Sequence, residues 1–420
     1  MKKYCEYKNS CISWIGEIPE HWDIRKMKYT FTERSEKNHP DEQILCATQS
    51  QGVIPQAMYD NRVVVVNKGF ENLKFVKKGD FVISLRSFQG GIEYAYYQGI
   101  ISAAYTILNP NKIIDSEFAK YLLKSHQFIE LLKTCVTGIR EGQNINYDIL
   151  RKKFLPIPPL SEQQHIVSFL DKKTAKIDEY IDKKNKEIEA LKEWKKALIA
   201  HVVTKGLNTN AKMKDSGVSW IGEIPEHWEV KRLGSAFVEN RTINSSLEIT
   251  EAYKFNYGAL IRKDENVNPT EMMDTYCKYT CLNVNDIVIN GLNLNYDFVS
   301  QRVAKAYTKG IITSAYLTLT PRDGVNSNYY LYLLKSMDSM KLFHGMGTGI
   351  RLTLSYNEIK KQQILFPPLI EQQEIVEYID AATTKADKMI VELTNHVESM
   401  KEYKQRLIAD VVTGKINVQP

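Results

Sequence analysis

Trp14-Ile-Gly-Glu-Ile-Pro-Glu-His-Trp22 recurs letter for letter at Trp220–Trp228, 206 residues further along a chain of 420 residues. An identity of nine residues that contains two tryptophans and a histidine is far beyond chance. Because self-similarity at a fixed period is the signature of a duplicated structural unit, this stretch predicts one unit of roughly 210 residues written twice.

Further matches follow in the same order in both halves. Gly79–Ile83 aligns with Asn285–Ile289 at the same offset, whereas the later matches need an offset of 211 residues, except the last, which needs 209. The second half therefore carries about five extra residues between Ile289 and Ile312. The later matches are Ile101–Tyr105 with Ile312–Tyr316, Tyr121–Ser125 with Tyr332–Ser336, Thr137–Arg140 with Thr348–Arg351, and Pro158–Gln164 with Pro367–Gln373.

The first part of each half is an insert with strand-like composition. Runs rich in Val, Ile, Tyr and Phe alternate with Gly, Asn and Asp, which predicts short strands and turns. Examples are Arg62–Val66, Asp80–Ser84 and Ala104–Leu108. A helical stretch over Ser116–Thr134 follows them.

The Pro-Pro element ends each insert and precedes a long helix. Proline is tolerated at a helix start but not inside one, and Ser161 and Glu162 can begin the helix, so we predict a helix over 162–203. Apolar positions then recur in alternating steps of four and three, which is a heptad stripe with polar interruptions. The stripe comprises Leu170, Thr174, Ile177, Ile181, Lys184, Ile188, Leu191, Lys195, Leu198 and Val202 in the first half, and Ile379, Thr383, Ala386, Ile390, Leu393, Val397, Met400, Lys404, Leu407 and Val411 in the second.

A long helix with one narrow apolar stripe needs a partner to cover it. Two such helices in one chain predict that they pair with each other; docking on their own inserts or on a partner protein is the alternative. The expected fold class is α+β, with mixed α/β inserts, two long helices in an antiparallel coiled coil, and an internal duplication with pseudo two-fold symmetry. The expected segments are 1–157 (first insert), 158–204 (first helix), 205–217 (linker), 218–366 (second insert) and 367–420 (second helix and tail).

Charge and hydropathy restrict the class of protein. The net charge is +6, and the inserts over 23–156 and 229–365 carry net charges of +5 and +3, so a basic surface matters only where it is clustered. No run of 18 apolar residues and no apolar leader is present, which predicts a cytoplasmic protein without a membrane span.

Two loops in each insert carry side chains suited to nucleic acid. Arginine, glutamine, asparagine and serine can donate to phosphates and base edges, and adjacent glycines allow close approach. Repetition at equivalent positions favours a functional interpretation over that of ordinary surface residues. The candidate DNA-contact residues are Arg62, Arg86, Ser87, Gln89, Arg140, Asn290, Asn293, Asn295, Gln301, Arg302 and Arg351.

The Trp block that opens each half and the Pro-Pro-Leu-x-Glu-Gln-Gln-x-Ile-Val element that leads into each helix resemble the specificity subunit of type I restriction-modification enzymes. The resemblance covers essentially the whole chain, in the right order, twice. It implies that each insert is a target recognition domain for one half of a bipartite, asymmetric site in double-stranded DNA.

The resemblance also implies partners. The paired helices would separate the two recognition domains and bind two methyltransferase subunits, which would carry S-adenosylmethionine and methylate adenine. A motor-nuclease restriction subunit would join them. The repeated element supplies the expected partner-binding residues Glu162, Gln163, Gln164, Glu371, Gln372 and Gln373.

The sequence itself offers no catalytic machinery. It contains neither an Asn-Pro-Pro-Tyr nor an Asp-Pro-Pro-Tyr methyltransferase motif and no phosphate loop, so we expect no catalytic residue, metal site or cofactor in this chain. His21 and His227 lack a nucleophile or metal partner nearby in sequence, which favours a structural role. Two alternatives stay open: a self-contained nuclease or methyltransferase, and a scaffold or inhibitor that binds only proteins.

Helix length predicts the spacing of the two half-sites. A helix of 40 residues is roughly 60 Å long. Recognition domains about 40 to 60 Å apart would read half-sites roughly 12 to 17 base pairs apart, centre to centre, with an unread spacer between them.

Overall fold

The computed structural model describes residues 2–59, 69–84, 87–137, 144–263, 274–299, 301–349 and 352–419. The chain forms two compact units, unit 1 over residues 1–185 and 394–420 and unit 2 over residues 186–393. Each unit thus combines one insert with a part of each long helix.

Unit 1 is built on an antiparallel sheet. Its strands are β1 (Tyr7–Asn9), β2 (Glu17–Pro19), β3 (Asp23–Lys26), β4 (Phe31–Arg34), β5 (Leu45–Thr48), β6 (Gly52–Pro55), β7 (Lys74–Val76), β8 (Phe81–Ile83), β9 (Glu93–Tyr94), β10 (Gly99–Ile101), β11 (Thr106–Pro110), β12 (Val136–Thr137), β13 (Asn144–Ile145) and β14 (Phe154–Ile157). The central sheet has the order β4-β11-β8-β9, and two-stranded ribbons surround it. Strands β8 and β11 confirm two of the predicted strands, and Arg62–Val66 lies outside the described residues.

The short helices of unit 1 pack on this sheet. The predicted helix over Ser116–Thr134 is two helices, because the amide and the hydroxyl of Ser125 both donate to the Leu122 carbonyl and end the first of them. The helices span Met27–Thr30, Ser87–Gly90, Ser116–Leu122, His126–Lys133 and Tyr147–Leu150, with 3-10 turns at Gln56–Met58 and Phe70–Asn72.

Unit 2 repeats this arrangement. Its strands are β15 (Met213–Asp215), β16 (Glu223–Pro225), β17 (Glu229–Arg232), β18 (Phe237–Glu239), β19 (Tyr253–Asn256), β20 (Ala259–Arg262), β21 (Thr280–Leu282), β22 (Ile287–Ile289), β23 (Val303–Lys305), β24 (Gly310–Ile312), β25 (Leu317–Pro321) and β26 (Gln363–Phe366). The central sheet has the order β18-β25-β22-β23, which matches unit 1 strand for strand. Its short helices span Ser327–Ser339 and Tyr356–Ile359, with 3-10 turns at Leu233–Ser235 and Leu342–Gly345.

The two long helices are continuous. The first long helix spans Leu160–Lys205 and the second spans Leu369–Val412, so the predicted helix over 162–203 is confirmed and extends two residues further at each end. The stripe side chains enter the cores of the units, with Leu170 and Ile379 fully buried and Thr174 and Thr383 nearly so.

Within unit 1 the long helices run antiparallel. Glu162, at the start of the first long helix, bonds to His21 in the Trp block, and Gly414, just after the second long helix, lies against Trp22 of the same block. Further along the first helix, Asp178 accepts from Lys404 at 2.6 Å. The start of one helix and the end of the other therefore share one end of unit 1.

Unit 2 shows the same antiparallel pairing. Gly206, just after the first long helix, lies against Trp228, whose indole donates to Glu371 at the start of the second long helix at 2.9 Å. Away from this end, Lys195 pairs with Asp387. The expected contact between the two long helices is confirmed.

A substitution at Gly414 tests how tightly the end of the second long helix packs against the rest of unit 1. Its φ is +79°, and a Cβ there would lie 2.8 Å from Pro19 Cγ and 3.2 Å from the Trp22 ring. We expect Gly414→Ala to lower the free energy of unfolding by about 1 to 3 kcal/mol more than Gly217→Ala, because the added methyl group has no space. Gly217 is the matched control, since its φ is +70° and its Cβ would meet nothing within 4 Å. If urea unfolding shows that both variants lose the same free energy of unfolding, the loss comes from backbone strain alone. The close packing of Gly414 would then be contradicted.

Candidate nucleic-acid interface

Each unit presents one loop in the hairpin at the edge of its central sheet. In unit 1 residues 84–91 connect β8 to the strand that contains Glu93, and in unit 2 residues 290–302 connect β22 to β23. We call these segments the hairpin loops. The extra residues of the second half lie in the hairpin loop of unit 2, so the two units present different surfaces on the same sheet.

Arg302 holds the hairpin loop of unit 2 from inside. Its side chain is 1% exposed. The guanidinium donates to the carbonyls of Asn290 at 3.0 Å, Leu292 at 2.8 Å, Asn293 at 3.4 Å and Asp297 at 2.8 Å. The expectation that Arg302 contacts DNA is therefore wrong, because its donors are directed at the loop's own backbone.

A buried arginine is tolerated here because several acceptors surround it. A buried charge without partners is costly, and carbonyl dipoles reduce that cost. The Asp297 carboxylate lies 3.8 Å from the guanidinium, and the buried Asp338 carboxylate accepts from the Arg302 amide at 2.6 Å. Burial raises the pKa of Asp338, and this amide hydrogen bond opposes the rise.

The other candidate residues of this loop differ in exposure. Asn293 and Gln301 are exposed, and Asn293 has the left-handed φ of +53° that asparagine tolerates. Asn290 is half-buried and its side chain accepts from the Leu292 amide, whereas Asn295 is half-buried with a buried Oδ1 that has no partner among the described residues. Asn293 and Gln301 therefore remain the better placed to meet a ligand.

The tip of the same loop is aromatic and apolar, which the sequence analysis missed. Tyr296, Phe298 and Val299 are 78%, 55% and 84% exposed. Phe298 stacks on the His344 ring with centroids 4.7 Å apart, which fixes its orientation. Such side chains in nucleic-acid-binding proteins stack on bases or wedge between base steps. The signal was the cluster of three large apolar or aromatic side chains, Tyr296, Phe298 and Val299, inside the extra segment.

The hairpin loop of unit 1 is held differently. Ser87 is fully buried and accepts from the Ser84 amide at 2.8 Å, so its expected DNA contact is corrected to a structural role. Lys124 donates to the Gly90 carbonyl at 2.9 Å and to the Glu93 carboxylate at 2.6 Å. Gln89 is exposed, and it remains a candidate on this loop.

Four candidate arginines lie outside the described residues, and the structure bears on none of them. They are Arg62, Arg86, Arg140 and Arg351.

The expected partner-binding glutamines are partly internal. Gln163 is fully buried: its Oε1 accepts from the Asp115 amide at 2.7 Å and its Nε2 donates to the Pro158 carbonyl at 2.8 Å. Gln372 repeats this in unit 2 with the Asn326 amide at 2.9 Å and the Pro367 carbonyl at 2.8 Å. Direct partner contact by these two side chains is ruled out by their burial.

The glutamates before them are also used internally. Glu162 is 2% exposed and accepts from Tyr4 and from His21, the latter at 2.8 Å, so it too is corrected to a structural role. Glu371 is about one third exposed and bonds to His227 at 2.5 Å. Both histidines of the Trp block thus have the structural role expected. The residues that remain on the surface are Gln164 and Gln373.

Within the described ranges, no group of three or more His, Cys, Asp or Glu side chains could hold a metal ion. Among the same residues, no helix is long and apolar enough to cross a membrane.

The contrast between Arg302 and Gln301 can be tested directly. We expect Arg302→Gln to lower the free energy of unfolding by about 2 to 4 kcal/mol, because several buried carbonyls lose their donor. Gln301→Ala, one residue away and exposed, is expected to leave stability within about 0.5 kcal/mol. Urea unfolding of both variants measures this; similar values for the two would contradict the internal role of Arg302.

The buried carboxyl group of Glu93 is expected to make the free energy of unfolding depend on pH. Burial raises its pKa from 4.5 to about 7, with Lys124 opposing the rise. Between these values the folded protein holds a proton that the unfolded chain has released, so the Glu93 contribution to stability falls as pH rises, by up to about 1.4 kcal/mol per pH unit. We expect Glu93→Gln to gain stability relative to the parent chain from about pH 5 to about pH 7 in urea unfolding. A constant difference over that window would contradict this assignment.

Comparison with known proteins shows which family the chain resembles. The model of the family described as "Type I restriction modification DNA specificity domain" matches residues 9–190 and 225–399. The chain is 25% identical to the type I restriction enzyme MjaVIII specificity subunit of Methanocaldococcus jannaschii, over 82% of this chain and 80% of that protein. It is 22% identical to the EcoKI specificity subunit of Escherichia coli K12, over 96% of this chain and 91% of that protein.

Solved structures show the same fold. A chain from a study of complex assembly and conformational transition of the type I R-M system superposes with a TM-score of 0.70 at 15% identity, over 95% of this chain and 99% of that chain. The HsdS subunit from Thermoanaerobacter tengcongensis superposes with a TM-score of 0.52 at 15% identity, over 95% and 98% of the two chains.

Proposed function

The chain belongs to the type I restriction modification DNA specificity domain family, and from this premise we propose how its two halves divide the recognition of DNA. It is a specificity subunit of a type I restriction-modification system, the component that determines the DNA target, and it is a non-catalytic part of the complex. What each half reads and which partner it meets belong to the proposal.

Each unit reads one half of a bipartite, asymmetric site in double-stranded DNA. The observation that carries this proposal is that two sheets of the same strand order support hairpin loops of different length and composition. A shared scaffold with different loops lets one protein read two different sequences, since binding residues are concentrated on loops held by a rigid frame.

The exposed loop side chains suit the reading of bases. Asn293 and Gln301 of unit 2 and Gln89 of unit 1 carry amides, which can pair with the N6 and N7 atoms of adenine in the major groove. Tyr296, beside Asn293, adds an aromatic surface. The arginines at 62, 86, 140 and 351 are proposed, on their sequence positions alone, to contact phosphates or guanine.

The repeated helix starts are proposed to bind two copies of one methyltransferase subunit. Gln164 and Gln373 are exposed at equivalent positions, next to the exposed apolar side chains of Leu160, Leu369 and Ile370. The buried Glu162, Gln163 and Gln372 and the partly exposed Glu371 act indirectly, by fixing the helix starts. S-adenosylmethionine would bind to the methyltransferase, and a motor-nuclease subunit would complete a restriction enzyme. The cytoplasm, where chromosomal DNA is available, is the proposed location.

Sequencing of methylated adenines in cells that carry the chain and its methyltransferase tests the proposal. The expected result is one asymmetric site with two short specified parts and an unread spacer. Methylation without a bipartite site would contradict the division between the two units. Absence of sequence-specific DNA protection by the assembled complex would favour a scaffold or inhibitor instead.

The long helices are proposed to set the spacer. Seven residues inserted into both of them preserve the heptad stripe and add about 10 Å, or roughly three base pairs of B-DNA. We expect the same two half-sites with a longer spacer in the same sequencing experiment. An unchanged spacer in a complex that still methylates would contradict this role of the helices.

A further inference from the structure

Unit 2 contains a cleft of about 590 Å³ between its short helix Ser327–Ser339 and the parts of the long helices that belong to this unit. A cleft of this size falls in the range that holds small ligands or ligand groups. Its lining is mixed, with four lysines among apolar and neutral polar side chains. The lining residues are Lys192, Lys195, Lys196, Ile199, Gln301, Tyr332, Lys335, Ser336, Ser339, Thr383, Asp387 and Ile390.

Positive charge exceeds negative charge in this cleft, which four lysines and one carboxylate line. The three lysines of the first long helix have carboxylate partners: Lys195 pairs with Asp387, and the other two pair with exposed glutamates on the same helix. Lys335 has no hydrogen bond or ion pair within the part of the chain that the structure describes. Burial lowers its pKa, and the Asp338 carboxylate only partly opposes this.

Ser336, the next residue of the same helix, lines the cleft but keeps its hydroxyl buried. The residue is 4% exposed, and its Oγ has no hydrogen-bond partner among the described residues. Because this hydroxyl is buried, the group that can meet a ligand in the cleft is the ammonium group of Lys335. An ammonium group without a carboxylate partner among the described residues suits an anionic oxygen.

In unit 1 the lysine at the equivalent position has a carboxylate partner. Lys124 is the counterpart of Lys335, and it bonds to the buried Glu93 at 2.6 Å. The counterpart of Glu93 in unit 2 is Ala304, which has no carboxylate to offer. The Ser125 hydroxyl, the counterpart of Ser336, donates to the Leu122 carbonyl at 2.8 Å.

One residue that lines the cleft also differs between the halves. Phe128, fully buried, stands at the sequence position of Ser339. Ser339 has the smaller side chain and lines the cleft of unit 2. Among the described residues, the pairing of Lys124 with Glu93 has no equivalent at Lys335.

We propose that this cleft binds a phosphate group of the DNA backbone through Lys335. The proposal rests on the proposed function, because it takes DNA as the ligand of unit 2. Gln301 supports this choice of ligand, since it lines the cleft and belongs to the hairpin loop that is proposed to read bases. A phosphate held there anchors the duplex beside the loop without reading sequence.

The phosphate contact makes the two halves contribute differently to the affinity for DNA. Neutralising one phosphate releases condensed counterions, so each such contact adds about 0.9 to the salt dependence of binding, expressed as the slope of log K against log salt concentration. The second half contributes this term through Lys335, whereas Lys124 of the first half is already hydrogen-bonded to Glu93 and to the Gly90 carbonyl.

The test uses the complete complex of the chain with its methyltransferase. DNA affinity is measured over a range of salt concentrations for Lys335→Gln and for Ser339→Phe, which places a bulky side chain at a residue that lines the cleft. Lys309→Gln is the control, because Lys309 is an exposed lysine without an ion pair among the described residues and the substitution changes the net charge equally.

We expect both cleft variants to lower the salt slope by about one, to weaken cognate and non-cognate binding alike, and to leave the methylated sequence unchanged. An unchanged slope in a complex that still methylates its site overturns the inference and leaves the proposed function intact. An equal effect of Lys309→Gln overturns it as well.

Three other outcomes also overturn the inference. If inorganic phosphate protects Lys335 from acetylation while DNA does not, the cleft binds free phosphate. If the cleft variants weaken methyltransferase binding at an unchanged slope, an acidic partner side chain occupies the cleft. If the unmodified complex binds no DNA sequence-specifically, the proposed function fails and the inference fails with it.

Discussion

The structure depends on a buried polar joint at the start of each long helix. Gln163 and Gln372 satisfy backbone groups at both sides of the joint: the prolyl carbonyl just before their own helix and the amide of the residue that caps a short helix on the sheet. Glu162 and Glu371 bind the Trp block from the same turn. A carboxylate in the first turn also meets the positive end of the helix dipole. Because buried polar groups are costly when unpaired, these hydrogen bonds fix the orientation of each insert on its helix.

This joint explains why the frame is repeated while the loops differ. Each of its side chains has partners on several elements, so a change at any of them leaves others unsatisfied. The hairpin loops have no such constraint at their tips, where Tyr296 and Val299 are exposed. Each loop needs only an internal cation, and the two halves supply it differently, with Lys124 in unit 1 and Arg302 in unit 2. Different loops can thus be carried on one frame.

Features that depend on local pattern could be predicted from the sequence. The long helices follow from the heptad stripe and the preceding prolines, and the duplication follows from the two Trp blocks. The site residues could not be sorted in the same way. Arg302 and Gln301 are adjacent and both polar, yet only the fold brings four carbonyls around Arg302. The burial of Gln163 likewise depends on Asp115, 48 residues earlier in the chain. Sequence spacing alone does not contain these contacts.

The central claim is that the two halves share one frame. This frame carries two interchangeable recognition domains, each for a different DNA sequence. Replacing residues 229–366 by a second copy of residues 23–157 tests this claim most directly. Sequencing of methylated DNA from cells with this chain and its methyltransferase is expected to show a symmetric site, in which the half-site of the first insert occurs twice in inverted orientation with the same spacer. Methylation of the original asymmetric site would contradict the claim.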